Sequence, residues 1–266
     1  MEYKNIRLIY FSPTQTTKKI VEAIAKGISL NETKHCDITP FIFDEKYCEE
    51  IINELVIIGV PVYSGRVPLH AADRLRKLKG SNSPAIIVVV YGNRAYDDAL
   101  LELSNIALER GFKPFAAAAF IGEHSFSSEF FPIAQGRPDA DDLNKAAEFG
   151  MKINNIIQDC KPFTYLVNIP GKFPYKPSGK LPNISPISIE SKCKKCGNCV
   201  SNCPTGSIRL NGKIETNKTT CSLCCACVKN CINKARVNDS DLVRLGSDWL
   251  LKNCASRKAP EIFIPD

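Results

Sequence analysis

Two cysteine runs near the end of the chain limit it more than any other feature. Cys193-x2-Cys196-x2-Cys199-x3-Cys203 is followed by Pro204, and 28 residues further on the pattern repeats as Cys221-x2-Cys224-x2-Cys227-x3-Cys231. Thirteen cysteines occur in 266 residues; nine lie between Cys193 and Cys231, while Cys36, Cys48, Cys160 and Cys254 are scattered. A secreted disulfide scaffold spreads its cysteines through a small domain. Thiols crowded into one stretch read instead as metal ligands in a reducing compartment. The longest apolar runs, Ala85–Tyr91 and Phe115–Ile121, are strand-sized, so no membrane span is expected. The opening MEYKNIRLIYF has an acidic second residue and no cleavage site, unlike a secretory signal. A cytoplasmic protein is expected.

Three cysteines at intervals of three wrap a loop around one iron–sulfur cube, since thiolates are the soft ligands iron prefers. The fourth of each run reaches across to the other cube. That crossing assigns Cys193, Cys196, Cys199 and Cys231 to one [4Fe-4S] cluster, and Cys203, Cys221, Cys224 and Cys227 to a second. Zinc also takes four cysteines, but structural zinc sites usually present paired C-x-x-C knuckles rather than four-cysteine runs. Cys225 is an extra thiol that competes with Cys224 for one ligand position; regular spacing favours Cys224. The stretch Ile187–Asn238 resembles the bacterial two-cluster ferredoxin family, departing from it where Ile232, not proline, follows Cys231.

Upstream, short β-rich runs alternate with amphipathic stretches. Strands are expected at Ile6–Phe11, Ile38–Phe43, Leu55–Val60, Pro84–Val90 and Phe115–Ile121. Helices are expected at Thr14–Gly27, Leu69–Leu78, Ala99–Arg110 and Asp139–Ile157, with a further element at Tyr47–Asn53. This alternation predicts an α/β fold with a doubly wound, five-stranded parallel sheet in residues 1–160. Residues 161–186 hold six of the 17 prolines and four lysines but no acid, which reads as a linker or strap. The small α+β cysteine module spans 187–240. In 241–266, Leu242, Leu245, Trp249 and Leu250 suggest one amphipathic helix over Asp241–Lys258.

Ser12-Pro13-Thr14-Gln15-Thr16-Thr17 stands between the first strand and first helix. A helix N-terminus presents unpaired N–H groups, and hydroxyls add donors, so a phosphate fits there. The chain has no G-x-x-x-x-G-K-[ST] and no G-x-G-x-x-G, which argues against a triphosphatase and a dinucleotide enzyme. Two more loops fall at the carboxyl ends of strands three and four, where open α/β sheets bind ligands. Pro61, Val62, Tyr63, Ser64, Gly65 and Arg66 form one; Tyr91, Gly92, Asn93, Arg94, Tyr96 and Asp97 lie in the other. Each supplies an aromatic ring, a glycine and an arginine. With these loops, Asn5–Ile157 resembles a flavodoxin. The whole chain resembles the flavodoxin–ferredoxin fusion proteins of anaerobes, sometimes called ferrodoxins. The resemblance implies FMN, its phosphate on Ser12, Thr14, Gln15, Thr16 and Thr17 and its ring between the Tyr63 and Tyr91–Tyr96 loops. The family often has glycine where Gln15 stands. Gly65 is expected to let its peptide reorient toward the flavin, and Arg66 or Arg94 to stabilise the reduced, anionic ring.

The formal charge of +7 invites a polyanion, but no single long basic run occurs. Two oxidised clusters would add about two negative charges apiece and a flavin phosphate about two more, so nucleic-acid binding is not expected. The favoured function is low-potential electron transfer between the clusters and FMN, coupling a ferredoxin-type donor to a flavoenzyme acceptor. The alternative is an FMN-dependent reductase of a small substrate held above Tyr63, Arg94 and Tyr96, with His124 as a candidate proton donor. A sensor role would require an output domain that the sequence does not display.

Overall fold

The structure, a computed structural model, describes every residue except 1–2, 44–49, 160–167, 180–181 and 266. In chain order the first half contains β1 (Asn5–Tyr10), α1 (Thr16–Ile28), β2 (Glu32–Asp37), β3 (Leu55–Pro61), α2 (Leu69–Leu75), β4 (Pro84–Tyr91), α3 (Ala99–Glu109), β5 (Lys113–Ile121) and α4 (Ala140–Gln158). The module follows with β6 (Ile187–Ser188), α5 (Asn198–Ser201), β7 (Ile208–Asn211), β8 (Lys213–Thr216), α6 (Ala226–Lys229) and β9 (Arg236–Val237). The chain closes with α7 (Asp241–Asn253) and β10 (Glu261–Phe263).

Period-two alternation in the apolar strands gives the sheet two buried faces. Ile9, Val56, Ile58, Ile87 and Val89 face α2 and α3, while Ile6, Leu8, Ile57, Ile86 and Val88 face α1 and α4. The strand order is β10-β5-β4-β3-β1-β2, with β1 to β5 parallel. Its parallel part is the flavodoxin-like doubly wound sheet, whose order reverses between β1 and β3. Ligand-binding loops therefore belong at the carboxyl ends of β1, β3 and β4.

Two expectations shift. The second strand is Glu32–Asp37, not Ile38–Phe43. It lies at the sheet edge with mostly exposed side chains, so it lacks the apolar alternation that marks a strand. Within the expected Tyr47–Asn53 element, Tyr47 and Cys48 lie outside the described residues; Ile51 makes an isolated bridge to Gly80. In α7 the buried residues are Val243, Ser247 and Leu250, while Leu242, Leu245 and Trp249 face solvent. The expected apolar face is thus rotated, with Leu250 alone of the four turned inward.

The Pro/Lys-rich joint and the tail both return to the first half. Asp98 accepts from the amides of Lys172 (2.9 Å) and Lys176 (2.7 Å), which lays the joint across the start of α3. Strand β10 adds antiparallel to β5, Glu261 opposite Ala119.

Candidate functional site

The loop after β1 turns sharply at Gln15, whose φ of 66° is left-handed, the conformation in which glycine is cheapest. The turn is held by Gln15 itself: its amide (3.1 Å) and its side-chain Nε2 (3.1 Å) both donate to the Ser12 carbonyl. Ser12 Oγ accepts from Lys18 N at 3.0 Å, and Thr39 Oγ1 accepts from Ser12 N at 2.8 Å. Ser12 is therefore spent on shaping the loop. Thr14 and Thr16 line a cleft with Tyr63, Tyr91, Gly92 and His124; Pro61 and Val62 complete that side. Thr17 is fully buried and its Oγ1 has no partner within the protein. An orphaned hydroxyl in the first turn of a helix suits a phosphate oxygen.

Tyr63, Ser64, Gly65 and Arg66 make a tight turn, closed by paired Tyr63–Arg66 backbone bonds of 3.0 Å, with φ of 53° at Ser64 and 78° at Gly65. A Cβ on Gly65 would strike the Asp97 carboxylate, and Asp98 N holds the Gly65 carbonyl at 3.2 Å. Each arginine is taken up by a carboxylate. Arg66 forks onto the buried Glu102 carboxylate at 2.7 Å through both Nε and Nη2 and donates to Lys176 O. Arg94 is bonded to Asp97, which also takes Lys176 Nζ at 2.7 Å. Each expected flavin cation thus already has a carboxylate partner. Tyr96 donates to Glu261 at 2.8 Å and meets Tyr91 edge-on, and Asn93 donates to Cys254 O and Ser256 O, so the tail holds this loop from outside.

His124 sits across from Gly92, where an added Cβ would lie 2.3 Å from its ring. Burial, then the neighbouring cations Lys229 and Arg94, lower its pKa to about 4, so it is neutral near pH 7. Nδ1 accepts from Phe126 N at 3.1 Å, which leaves the proton on Nε2. It is a hydrogen-bond donor in the cleft rather than an acid.

The cysteine runs build a near-repeat. Lys195 and Leu223 are left-handed at φ of 52° and 54°, and Gly197 and Cys225 at 77° and 57° just before α5 and α6. Cys225 therefore occupies the place of Gly197, and Cys224 that of Cys196. The fourth cysteines match too: Ser207 N donates to Cys203 Sγ (3.3 Å) and Ala235 N to Cys231 Sγ (3.2 Å). Cys193, Cys196, Cys199 and Cys231 line one cavity; Cys203, Cys221, Cys224, Cys225 and Cys227 line another. Among the described residues no three cysteine sulfurs lie within 4.8 Å of one another. Zinc bonds of about 2.3 Å would bring tetrahedral sulfurs to about 3.8 Å apart, closer than any three of these sulfurs lie. Burial raises the thiol pKa of Cys224 to about 12 and of Cys227 to about 11, so they need a cation to become thiolates. That cation would come partly from a residue the sequence reading passed over. Arg236, 3% exposed, donates toward Cys227 Sγ at 3.7 Å and also lines the other set's cavity.

Residues 186–209 match the 4Fe-4S binding domain family. The match takes in the first cysteine run, Cys193 to Cys203, and ends before the second. No curated protein matches the chain. Among solved structures, a flavodoxin from the domain Archaea is 12% identical, with 58% of this chain and 99% of that one covered at a TM-score of 0.38. The Flv1 flavodiiron core from Synechocystis sp. PCC6803 is 17% identical over 60% of this chain and 37% of its own, at a TM-score of 0.42. Rubredoxin oxygen:oxidoreductase from the anaerobe Desulfovibrio gigas is 14% identical over 59% and 36%, at 0.39. The family match places iron–sulfur binding residues in the C-terminal module, behind a doubly wound sheet.

The 4Fe-4S domain is fastened to the two loops that frame the cleft. Asn230 Nδ2 reaches Pro13 O at 3.4 Å, and Lys229 Nζ binds Glu123 at 2.5 Å and Ser127 O at 2.7 Å. Arg74 Nη2 donates to Pro204 O at 2.6 Å. The hydroxyl end of Tyr63 is enclosed; that burial, then the adjacent Cys224 and Cys225, push its pKa well above the usual phenol value. Tyr63, which lines the cleft, thus lies within electrostatic reach of Cys224 and Cys225. Among the described residues no helix is long and apolar enough to cross a membrane.

Proposed function

We propose that this protein transfers low-potential electrons between two [4Fe-4S] clusters and FMN, linking a one-electron donor to a two-electron acceptor. Cys193, Cys196, Cys199 and Cys231 hold one cluster, and Cys203, Cys221, Cys224 and Cys227 the other. Ser12, Thr14, Gln15, Thr16 and Thr17 shape the phosphate loop, and Pro61 to Gly65 with Tyr91 and Gly92 frame the ring. Bound FMN supplies a two-electron centre and each cube a one-electron centre.

The placement of Tyr63, which lines the cleft and feels the charge of Cys224 and Cys225, carries this reading, because it sets one cysteine set in the neighbourhood of the other site. His124 keeps a neutral Nε2–H donor in the cleft, and Lys229 with Asn230 holds the module against it. Anaerobic reconstitution with iron, sulfide and FMN should yield about eight irons and one flavin per chain. Cys224→Ser should lose about four irons, whereas Cys225→Gly should keep them all. Light-driven reduction should bleach the iron–sulfur absorbance and then the flavin band. A colourless protein, stoichiometric zinc, or a flavin that stays oxidised beside reduced iron would refute the proposal. A screen of the reduced protein with small oxidants separates the carrier from a reductase, which would turn over without a protein acceptor.

A further inference from the structure

The positive charge of the chain is concentrated. Residues 187–240 hold nine Lys/Arg against three Asp/Glu, a net +6 of the formal +7. Lys192, Lys194, Lys195, Lys213, Lys218 and Lys234 are exposed. The first three interleave with Cys193 and Cys196, and Lys195, Lys213 and Lys218 line an open groove beside Cys193. Among the described residues, Lys192, Lys194, Lys195 and Lys218 make no ion pair. Lys213 reaches only Glu215 at 3.9 Å, and Lys234 meets the exposed Glu129 at 3.4 Å. On the inner side the pattern reverses: Lys229 is bound at 2.5 Å by Glu123.

The two cysteine sets differ in the same sense. Cys196 is exposed and Cys193, Cys199 and Cys231 are partly so, whereas in the other set Cys203, Cys224 and Cys227 are buried and only Cys221 is partly exposed. The unpaired lysines therefore ring the cysteine set that solvent can reach. Such a ring creates a local positive potential that steers anionic partners to one spot. Its lysines come from three separate segments, and Glu190 and Glu215 are set among them. A uniform polyphosphate would meet those two carboxylates as like charges, while a folded acidic surface with patterned charge answers both signs.

We infer that this lysine ring is the docking surface for an acidic one-electron carrier protein, which delivers its electrons at the outward cysteine set. The inference rests on the proposed function. One electron leaves the reduced carrier, which is oxidised by one, and the iron at the outward set is reduced by one; no bond forms or breaks. From there the buried set and Tyr63 lead inward to the cleft.

The test uses the full-length, iron-loaded protein and an acidic [2Fe-2S] ferredoxin as probe. Binding of the oxidised probe and reduction by the reduced probe should both weaken about tenfold or more as salt rises from about 50 to about 500 mM. Lys194→Glu/Lys195→Glu should lose about tenfold at low salt and most of the salt dependence. Lys213→Glu/Lys218→Glu, which leaves the residues between the ligands untouched, should do the same. Reduction by the neutral deazaflavin radical should be equal in all three proteins. Salt-independent binding, no effect of either charge reversal, an equal loss with the neutral radical, or tighter binding to duplex DNA would overturn the inference. If no iron–sulfur absorbance appears, the proposed function has failed and the docking surface falls with it. That outcome is distinct from an iron-loaded protein indifferent to salt.

Discussion

One guanidinium sets the electrostatics of the cysteine module. Arg236 is held by Pro186 O at 2.8 Å, Thr216 Oγ1 at 2.9 Å and Ser188 Oγ at 3.0 Å, and its Nη2 points at Cys227 Sγ. A buried cation beside a site that gains an electron favours the reduced state. At about 8 Å and an effective dielectric near 20 the attraction is about 2 kcal/mol, or about 90 mV for a one-electron couple. Arg236→Met should therefore lower the midpoint potential of at least one cluster by several tens of millivolts, with Arg236→Lys restoring most of it, as read by redox titration with electron paramagnetic resonance. Unchanged midpoints in an iron-replete Arg236→Met protein would rule the role out. The cysteine runs stood out in the sequence because thiols that wrap one metal group recur at short, regular intervals along the chain. Arg236 was not, since one arginine among 35 basic residues acquires its meaning only when folding buries it between two cysteine sets. Arg66 and Arg94 were read as cations free for a flavin for a related reason. Sequence showed the cations but not Glu102 and Asp97, which claim them.

Between elements, the tightest crossing is that of α1 and α4, and it bears on the cleft because α1 carries the phosphate loop. A Cβ on Gly150 would lie 2.1 Å from Ile24 O, and one on Gly27 would lie 2.0 Å from Ala147 O. These helices touch backbone to backbone, so neither glycine has a flexible neighbour that could yield. Gly150→Ala should cost about 2–3 kcal/mol in chemical denaturation by forcing the helices apart, and it should loosen flavin binding through the shifted N-terminus of α1. A stability within about 0.5 kcal/mol of the parent would show that the crossing gives way freely. Most elements were legible as elements: the buried runs of β3, β4 and β5 are continuous and apolar because both faces are covered. Edge positions and surface helices were harder. Strand β2 carries Glu32, Lys34 and Asp37 because little covers its outer side, and so the apolar Ile38–Phe43 looked the better strand. Helix α7 places large apolar residues on more than one face, and periodicity alone could not show which face meets the rest of the fold.

At the scale of the molecule, the chain's last residues complete a domain begun by its first. Strand β10 is three residues long and could not be told from a polar tail by pattern; its position depends on β5 offering an edge. Around it, Lys258 Nζ donates to Arg94 O at 2.5 Å, Arg137 to Lys258 O at 3.0 Å, and Arg257 to Asp139 at 2.7 Å. The same segment receives the bonds from Asn93 and Tyr96. The carboxylates of Asp139, Asp141 and Asp142, which sit close enough together for a cation, are occupied by Arg257, with Arg137 also on Asp142. The tail thus clamps the β4 loop, while the cysteine module meets the loops of the cleft through Lys229 and Asn230. Removing residues 254–266 should free Tyr91, Gly92 and Asn93 without touching any cysteine of the two sets. The truncated protein should hold its full iron content but bind FMN at least about tenfold more weakly, because ordering the loop would have to be done by the ligand itself. Iron analysis and a flavin fluorescence titration on the same preparation separate the possibilities. Equal loss of iron and flavin would mean that the tail supports the whole molecule, and unaltered flavin affinity would mean that the β4 loop keeps its shape without a clamp.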